Sequence, residues 1–339
     1  MTTTRNTAFL AALAFAVVLA AVTPHALAQK EDPTDQDAGA HADTTGLALL
    51  SSEELFLRAS SSALQFQHLI APSRRLLVRN HAESVPVLVT KLDTDSPRER
   101  LALEDVLLKV GDAAVQPLID ALGAELVRDD TSRGVRLAAS ILGRLGDERG
   151  GDALVAAARH HDWKVRSAAA EALGRIAAPG PVPTLTLLLG DANEVVRKSA
   201  AAALARVAER GGHGLDESAV AGLTAALSDP NYSVRYGAAR ALAQCGDRAW
   251  DRLERLALDG EGPARLMALR ALGEIGSPRA RGVLRELLES ESWVVRAHAA
   301  TALGSAGPDR AARRKLESML GDRHPLPAFA AARALRESP

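Results

Sequence analysis

The chain has 339 residues, 47% hydrophobic and 24% charged, with a formal net charge of -1. This composition is typical of a folded soluble protein, and the near-neutral charge argues against a dedicated nucleic-acid binder, whose phosphate contacts need clustered positive charge. A single cysteine excludes a disulfide framework and a metal site built from several cysteines. Aromatic residues make up only 3% of the chain, so alanine must fill the interior, which favours closely packed helices.

Residues 1–28 have the pattern of a secretory signal peptide. Arg5 supplies the positive charge, an apolar run follows from Ala8 to Val22, and Ala26-Leu27-Ala28 fits the small-x-small pattern that precedes a cleavage site. The run is shorter than the roughly 20 residues that cross a bilayer. We therefore expect cleavage after Ala28, a periplasmic or secreted mature protein, and no membrane span once the signal is removed. An uncleaved anchor helix is the alternative.

Residues 29–46 are predicted to form a disordered acidic linker. They hold five acidic residues, one lysine and no large apolar side chain. Such a segment cannot bury enough surface to offset the entropy lost on ordering.

A repeat of about 31 residues organises the remainder of the chain. One ladder of anchor leucines recurs through segments such as KVRSAAAEALGRIA and VVRKSAAAALARVA: Leu107, Leu142, Leu173, Leu204, Leu242, Leu272, Leu303 and Leu335. A second ladder runs in step with the first: Leu118, Leu154, Leu185, Leu223, Leu253, Leu284 and Leu316. Apolar residues three and four positions after these leucines give the spacing of one amphipathic helix face.

Each repeat is therefore predicted to be a pair of helices, helix A around the first leucine and helix B around the second. Glycines follow four of the A-helix leucines by four residues, where a left-handed C-terminal cap belongs: Gly146, Gly246, Gly276 and Gly307. The position four residues before the A-helix leucine is alanine in most copies, from Ala138 to Ala331, which lets neighbouring helices approach closely.

A single helix pair cannot bury its own apolar face, so the pairs must stack. The predicted fold is all-α, an α-α superhelix of about eight helix pairs. We expect a degenerate N-terminal capping repeat over residues 47–92, regular repeats over residues 93–339 and a closing A helix at the C-terminal end. Longer intervals between leucines indicate surface insertions near residues 123–133 and 209–217.

The wording of the repeats resembles the short HEAT-like repeats of the phycobilin-lyase type, a widespread bacterial family. The family's pattern of Asp, a short spacer, Val-Arg, an Ala-rich turn and Ala-Leu-Gly is matched by DANEVVRKSAAAALARVA, DPNYSVRYGAARALAQCG and SESWVVRAHAATALGSAG. The resemblance covers roughly residues 74–339 and implies a HEAT-like solenoid. It says little about function.

A column of arginines stands seven residues before successive A-helix leucines: Arg166, Arg197, Arg235, Arg265 and Arg296. Stacked guanidinium groups could bind anions. The column also matches the family pattern, and each arginine can pair with loop carboxylates and helix-end carbonyls of its own or the adjacent repeat. We therefore expect a structural ladder.

Three aromatic residues, Trp163, Tyr232 and Trp293, stand three residues before arginines of this column. They could grip a partner peptide, although packing over the start of helix A is the more common use of such residues. Trp250 lies on helix B outside this register and is predicted to contact a partner.

No sequence feature supports catalysis or a cofactor. His160-His161-Asp162 and His298 do not provide three convergent metal ligands, and the His-Glu pairs of the HEAT-like metal hydroxylases are missing, because no histidine precedes a glutamate. Cys245 has no neighbouring cation or histidine that the sequence would place to activate it. We expect neither a metal nor another cofactor.

Exposed positions on helix B change character along the chain. In the middle repeats they are small or mildly apolar, as at Thr184, Leu187 and Thr224. Towards the C-terminus they become basic: Arg252, Arg255, Arg281, Arg285, Arg313, Arg314 and Lys315. Residues 248–339 carry an excess of four positive charges, which favours an acidic partner or an anionic envelope surface, although a solvated helix face is the simpler interpretation.

The sequence thus predicts an exported, monomeric, non-enzymatic scaffold that binds a protein partner along a concave face lined by helix B. The alternatives are a repeat-fold enzyme or enzyme-maturation factor, similar to the bilin lyases or the metal hydroxylases, and a spacer with no cognate partner.

Overall fold

The computed structural model describes residues 46–128, 132–178, 180–211 and 215–337, which belong to one compact unit beginning at Gly46. The predicted signal peptide, nearly all of the predicted linker and part of each predicted insertion lie outside the described residues. Within the described ranges the chain forms α-helices joined by short turns and contains no strand, which confirms the predicted all-α superhelix.

The helices are numbered in chain order, and from α2 onwards they alternate between the two rows of the stack. The even-numbered helices are the A helices: α2 Gln67–Arg79, α4 Pro97–Val110, α6 Arg133–Leu145, α8 Trp163–Ile176, α10 Glu194–Gly211, α12 Tyr232–Gln244, α14 Gly262–Ile275, α16 Trp293–Ala306 and α18 Pro325–Glu337. The odd-numbered helices form the B row: α1 Ser52–Ala59, α3 His81–Val89, α5 Asp112–Arg128, α7 Gly151–Ala157, α9 Val182–Leu188, α11 Glu217–Ala226, α13 Asp247–Asp259, α15 Pro278–Glu286 and α17 Arg310–Ser318.

The leucine ladders form the core between the two rows. Every anchor leucine of the B helices from Leu118 to Leu316 is fully buried, and so is every A-helix anchor from Leu107 to Leu303. Leu335 of α18, the last described helix, is only partly buried. Burial of each leucine contributes about 1.5–3 kcal/mol of hydrophobic free energy, so the stack is stabilised repeat by repeat.

Capping residues in the turns determine where the helices begin and end. Asp162 and Asn231 precede α8 and α12, and the side chain of each accepts a hydrogen bond from the backbone N–H two residues later. Gly146 and Gly276 end α6 and α14 in the left-handed conformation, as predicted. Gly246 and Gly307 also have positive φ angles, but their ψ angles of -133° and 93° lie outside that region.

Neighbouring A helices approach each other through glycine and alanine. A Cβ atom added to Gly143 would lie 2.5 Å from the Cα atom of Ala172, and one added to Gly174 would lie 2.5 Å from the Cα atom of Ala203. These glycines directly follow anchor leucines, which explains the Ala-Leu-Gly wording of the repeat. Most packing between successive repeats is between A helices.

Substituting Gly174 by alanine is expected to destabilise the protein by about 1–3 kcal/mol, because the new methyl group overlaps the backbone of α10. Gly282→Ala on α15 is the matched control, since nothing lies within 4 Å of its added Cβ atom. Alanine there should be neutral or stabilising by up to about 1 kcal/mol. Urea and thermal unfolding midpoints would measure both, and equal midpoints for the two variants would contradict the close-packing argument.

The arginine column links each turn to the next. The Arg166 guanidinium donates to both carboxylate oxygens of Asp191, 25 residues later, at 2.7 and 2.9 Å, and to the carbonyls of His160 and His161 in its own turn. Arg296 makes the equivalent bonds to both oxygens of Asp322 at 2.7 and 2.8 Å. Bidentate pairs of this kind fix orientation as well as distance.

The ladder is interrupted in the middle of the C-terminal half. Arg197 pairs with Asp229 at 2.7 Å. Arg235 donates to the carbonyls of Asp229 and Pro230, and its buried Nε atom has no hydrogen-bond partner among the described residues. Arg265 donates only to backbone carbonyls, those of Ala257 and Leu258. Because α13 stays helical through Asp259, that carboxylate does not occupy the turn position that Asp191 and Asp229 take.

The free energy of unfolding should fall at acid pH as Asp322 is protonated and its pair with Arg296 is lost. Hydrogen bonding to Arg296 lowers the pKa of Asp322 from 3.8 to about 2. A depressed folded-state pKa adds stability above the unfolded-state value and loses it as the pH falls towards 2. The difference in unfolding midpoint between the unmodified chain and Asp322→Asn should be constant above pH of about 5 and shrink between pH of about 4 and 2.

Asp251→Asn, on the exposed surface of α13, is the control for this experiment. Its difference from the unmodified chain should stay small at every pH. A pH-independent effect of Asp322→Asn would show that the carboxylate charge is not what stabilises this turn.

Candidate functional site

The B-helix residues predicted to contact a partner comprise those of the middle repeats, Trp250 and the basic residues of the last repeats. In the middle repeats, Leu187 on α9 is 77% exposed, whereas Thr184 and Thr224 are half-buried. The Thr224 hydroxyl donates to the carbonyl of Val220 at 2.7 Å, inside its own helix. This part of the B row therefore offers one isolated leucine.

Trp250 is not a contact residue, and that prediction is wrong. Its side chain is 4% exposed, its Nε1 atom donates to Glu254 at 3.0 Å, and the Arg279 guanidinium covers the ring at 4.3 Å. Trp250 stands three residues before the anchor Leu253, so it belongs to the buried stripe of α13. The three-residue spacing from Leu253, visible in the sequence, already indicated that Trp250 is buried.

The basic residues of the last B helices are largely engaged within the stack. Three form ion pairs between successive repeats: Arg252 with Glu217, Arg285 with Asp309 at 3.9 Å, and Lys315 with Glu289. Arg281 is half-buried and donates to the carbonyls of Gly276 and Ala306. Arg255 and Arg314 remain exposed. The B-row cations thus join repeats, which reduces the charge they can offer to a partner.

An open groove lies on the opposite side of the stack, between the A helices. We call it the A-face groove; it offers about 430 Å³ and is lined by side chains of α12, α14, α16 and α18. Its exposed apolar residues are Tyr232, Trp293, Leu326 and Phe329, which are 54, 40, 50 and 61% exposed. The sequence placed the binding face on helix B, whereas this groove lies between A helices.

Two of the three register aromatics contribute to this groove. Tyr232 begins α12 and Trp293 begins α16, and the Trp293 ring stacks on His324 of the following turn at 4.0 Å. Each therefore covers a helix start, as expected, while leaving much of its ring accessible. Trp163, at the start of α8, is 37% exposed and lies outside the groove. Phe329 and Leu326, on the closing helix, were not singled out from the sequence.

Charged groups in the A-face groove are engaged with one another or with the backbone. Arg270 lies over the Tyr236 ring at 4.4 Å, and its Nε atom is 3.1 Å from Glu274. His298 Nδ1 lies 2.9 Å from the carbonyl of Val294. Arg333 is exposed on α18. With two arginines against one glutamate, the lining carries a positive balance.

The remaining chemical candidates are arranged for structure. Cys245 is buried beside the carbonyl of Ala241, and burial raises the pKa of its thiol to about 11, which keeps it neutral at physiological pH. His160 accepts a hydrogen bond from the backbone N–H of Asp162. In the described part of the chain, no three histidine, cysteine or acidic side chains converge to hold a metal ion. No described helix has the length and apolarity needed to cross a bilayer.

Solved structures with a similar course of the chain include two natural proteins and one engineered protein. The engineered protein has 22% identity and a TM-score of 0.46, over 90% of this chain and 96% of that one. Human deoxyhypusine hydroxylase in complex with glycerol has 22% identity and a TM-score of 0.35, over 78% and 98%. The Escherichia coli protein YibA has 20% identity and a TM-score of 0.44, over 92% and 100%. At this level of similarity none of them assigns an activity to this chain.

Comparison at the sequence level identifies the family. No curated protein sequence matches the chain significantly. The model of the family described as HEAT repeats matches three overlapping stretches, residues 119–205, 182–264 and 251–336, which together span more than half of the chain. The resemblance to HEAT-like repeats is thereby confirmed, and the chain belongs to the HEAT-repeat family.

Proposed function

We propose that this protein is exported and acts, without catalysing a reaction, as a scaffold that binds a protein partner in the A-face groove. The observation that carries the proposal is the cluster of four exposed apolar side chains, Tyr232, Trp293, Leu326 and Phe329, in one open groove. Contiguous exposed apolar surface of this kind is typical of protein-interaction sites.

The composition of the groove favours a protein over a small substrate. The groove is open and extends over four helices, whereas small-molecule sites enclose most of their ligand. Aromatic side chains bury a large area at low conformational cost and are enriched where most of the binding energy of an interface concentrates. The titratable Glu274 and His298 already have partners, so binding is the chemistry that the lining supports best.

Export is supported by residues 1–28 alone. The charged start, the apolar run and the Ala26-Leu27-Ala28 sequence together form the pattern that signal peptidase cleaves. An exported scaffold would meet its partner in the periplasm or outside the cell.

The interaction is tested by affinity capture from the native envelope fraction. The unmodified chain should retain one dominant protein, and a variant with Trp293→Ala and Phe329→Ala should lose it, because each truncation removes about 1–2 kcal/mol of buried aromatic contact. Leu187→Ala is the matched control, since Leu187 is also exposed but lies on the B face. The single variant Phe329→Ala is included in case the double variant fails to fold, and it should already weaken capture. Equal capture by all four chains would exclude the groove as the interface.

Export is tested by intact mass and fractionation. The mature protein should begin at Gln29 and be recovered outside the cytoplasm, and Ala28→Arg should leave the precursor uncleaved because the cleavage pocket accepts only small residues. Ala12→Val, within the apolar run, should be processed normally. A cytoplasmic protein that retains residue 1 would contradict the proposal.

A further inference from the structure

A second recess on the A-helix side of the stack is strongly basic. We call it the arginine recess; it offers about 690 Å³ near the C-terminal ends of α6, α8 and α10. Its charged lining consists of Arg144, Arg175, Arg206 and Arg210. No carboxylate among the described residues lines this recess. The function proposed above does not use these four guanidinium groups.

Two of these arginines are held by the fold and two are not. Arg144 pairs with Glu104 of the preceding A helix at 2.7 Å, and Arg210 donates to the carbonyl of Ile176 at 3.0 Å. Arg175 and Arg206 have no acceptor among the described residues. Their positive charges are tolerated because the C-terminal ends of α6 and α8 carry partial negative charge.

The arginine recess and the A-face groove lie on the same row of helices. The recess ends at α10, and the groove begins at α12. An ion pair between Glu209 and Arg240 joins the two neighbouring helices α10 and α12. Within the groove, Arg270 and Arg333 continue the positive balance. One ligand running along the A helices would therefore meet guanidinium groups first and aromatic side chains next.

We infer that the partner presents an extended acidic segment, whose carboxylates bind the arginine recess and whose bulky apolar side chain enters the A-face groove. This inference rests on the proposed scaffold function and adds the chemistry of the partner. Guanidinium groups bind carboxylates in a bidentate geometry, and positive surfaces select partners of opposite charge.

The distance between the two sites sets the length of the segment. Neighbouring packed helices lie about 8–10 Å apart, so α10 and α16, which carries Trp293, are separated by roughly 24–30 Å. An extended chain advances about 3.3 Å per residue, so about eight residues separate the acidic run from the apolar anchor. A shorter connection cannot occupy both sites at once.

The test is direct binding of a synthetic peptide to the full chain, measured by fluorescence anisotropy. The probe is a labelled peptide with four Glu/Asp residues, a Gly-Ser spacer of about eight residues and a Trp-Leu end. We expect Arg175→Glu combined with Arg206→Glu to weaken binding about tenfold or more, and raised salt to weaken it as well. Arg255→Glu combined with Arg314→Glu makes the same charge change on the B face and should leave binding unchanged. Circular dichroism and thermal midpoints confirm that both variants fold.

The spacer supplies a second, independent readout. A probe whose spacer is about two residues long cannot span both sites. Its affinity should therefore be no higher than that of the acidic run or the Trp-Leu end alone, whichever binds more tightly. A probe with lysine in place of the acidic residues should not bind the recess. Both results would support the inference.

Four outcomes of the probe measurements would overturn it. The first is no measurable binding of the probe, and the second is binding of the lysine probe as tight as that of the acidic probe. The third is displacement of the labelled probe by a single-stranded oligonucleotide as effectively as by unlabelled probe. The fourth is unchanged binding of the probe to the variant with the Arg175 and Arg206 reversals. In the last case, if Trp293→Ala with Phe329→Ala still abolishes binding, the proposed function stands and only the acidic partner is excluded. A synthetic peptide of residues 29–46 that binds the recess as tightly as the probe would make the chain's own acidic segment the occupant, which also overturns the inference.

Discussion

Contacts between successive repeats are arranged around the short distance between neighbouring A helices. The backbone of Gly174 lies so close to Ala203 that even a methyl group would overlap it. Small residues at these positions allow the helices to pack backbone against backbone, and the leucine ladders then fill the space between the A and B rows. This explains how a chain with 3% aromatic residues builds a continuous core.

The arginine ladder fixes how successive repeats are oriented relative to one another. Arg166, Arg197 and Arg296 each join their own turn to a carboxylate in the next one, so the rotation between repeats is held at the edge of the stack as well as in its centre. Where α13 continues through Asp259, the carboxylate is missing from the turn and Arg235 bonds only its own turn. The A-face groove spans the helices on both sides of this interruption.

The two rows of helices carry different surface chemistry. Three cations on the B row, Arg252, Arg285 and Lys315, pair with carboxylates of neighbouring repeats. Exposed pairs of this kind contribute little stability but do neutralise charge. The A row keeps two arginines, Arg175 and Arg206, without acceptors among the described residues, and it exposes Phe329 and Trp293 in a single groove. The exposed aromatic groove therefore lies on the A row, which also supplies most of the packing between repeats.

The sequence by itself determined the helix pairs, their buried leucines and the family, because a period of about 31 residues and a spacing of three or four residues are local properties of the chain. The burial of Trp250 follows from the same local spacing, since it stands three residues before Leu253. Only the tertiary structure decided which row offers a groove and which cations stay available. Those features depend on the angle and distance between helices of different repeats, which place Tyr232 and Phe329, almost 100 residues apart, in the lining of one groove.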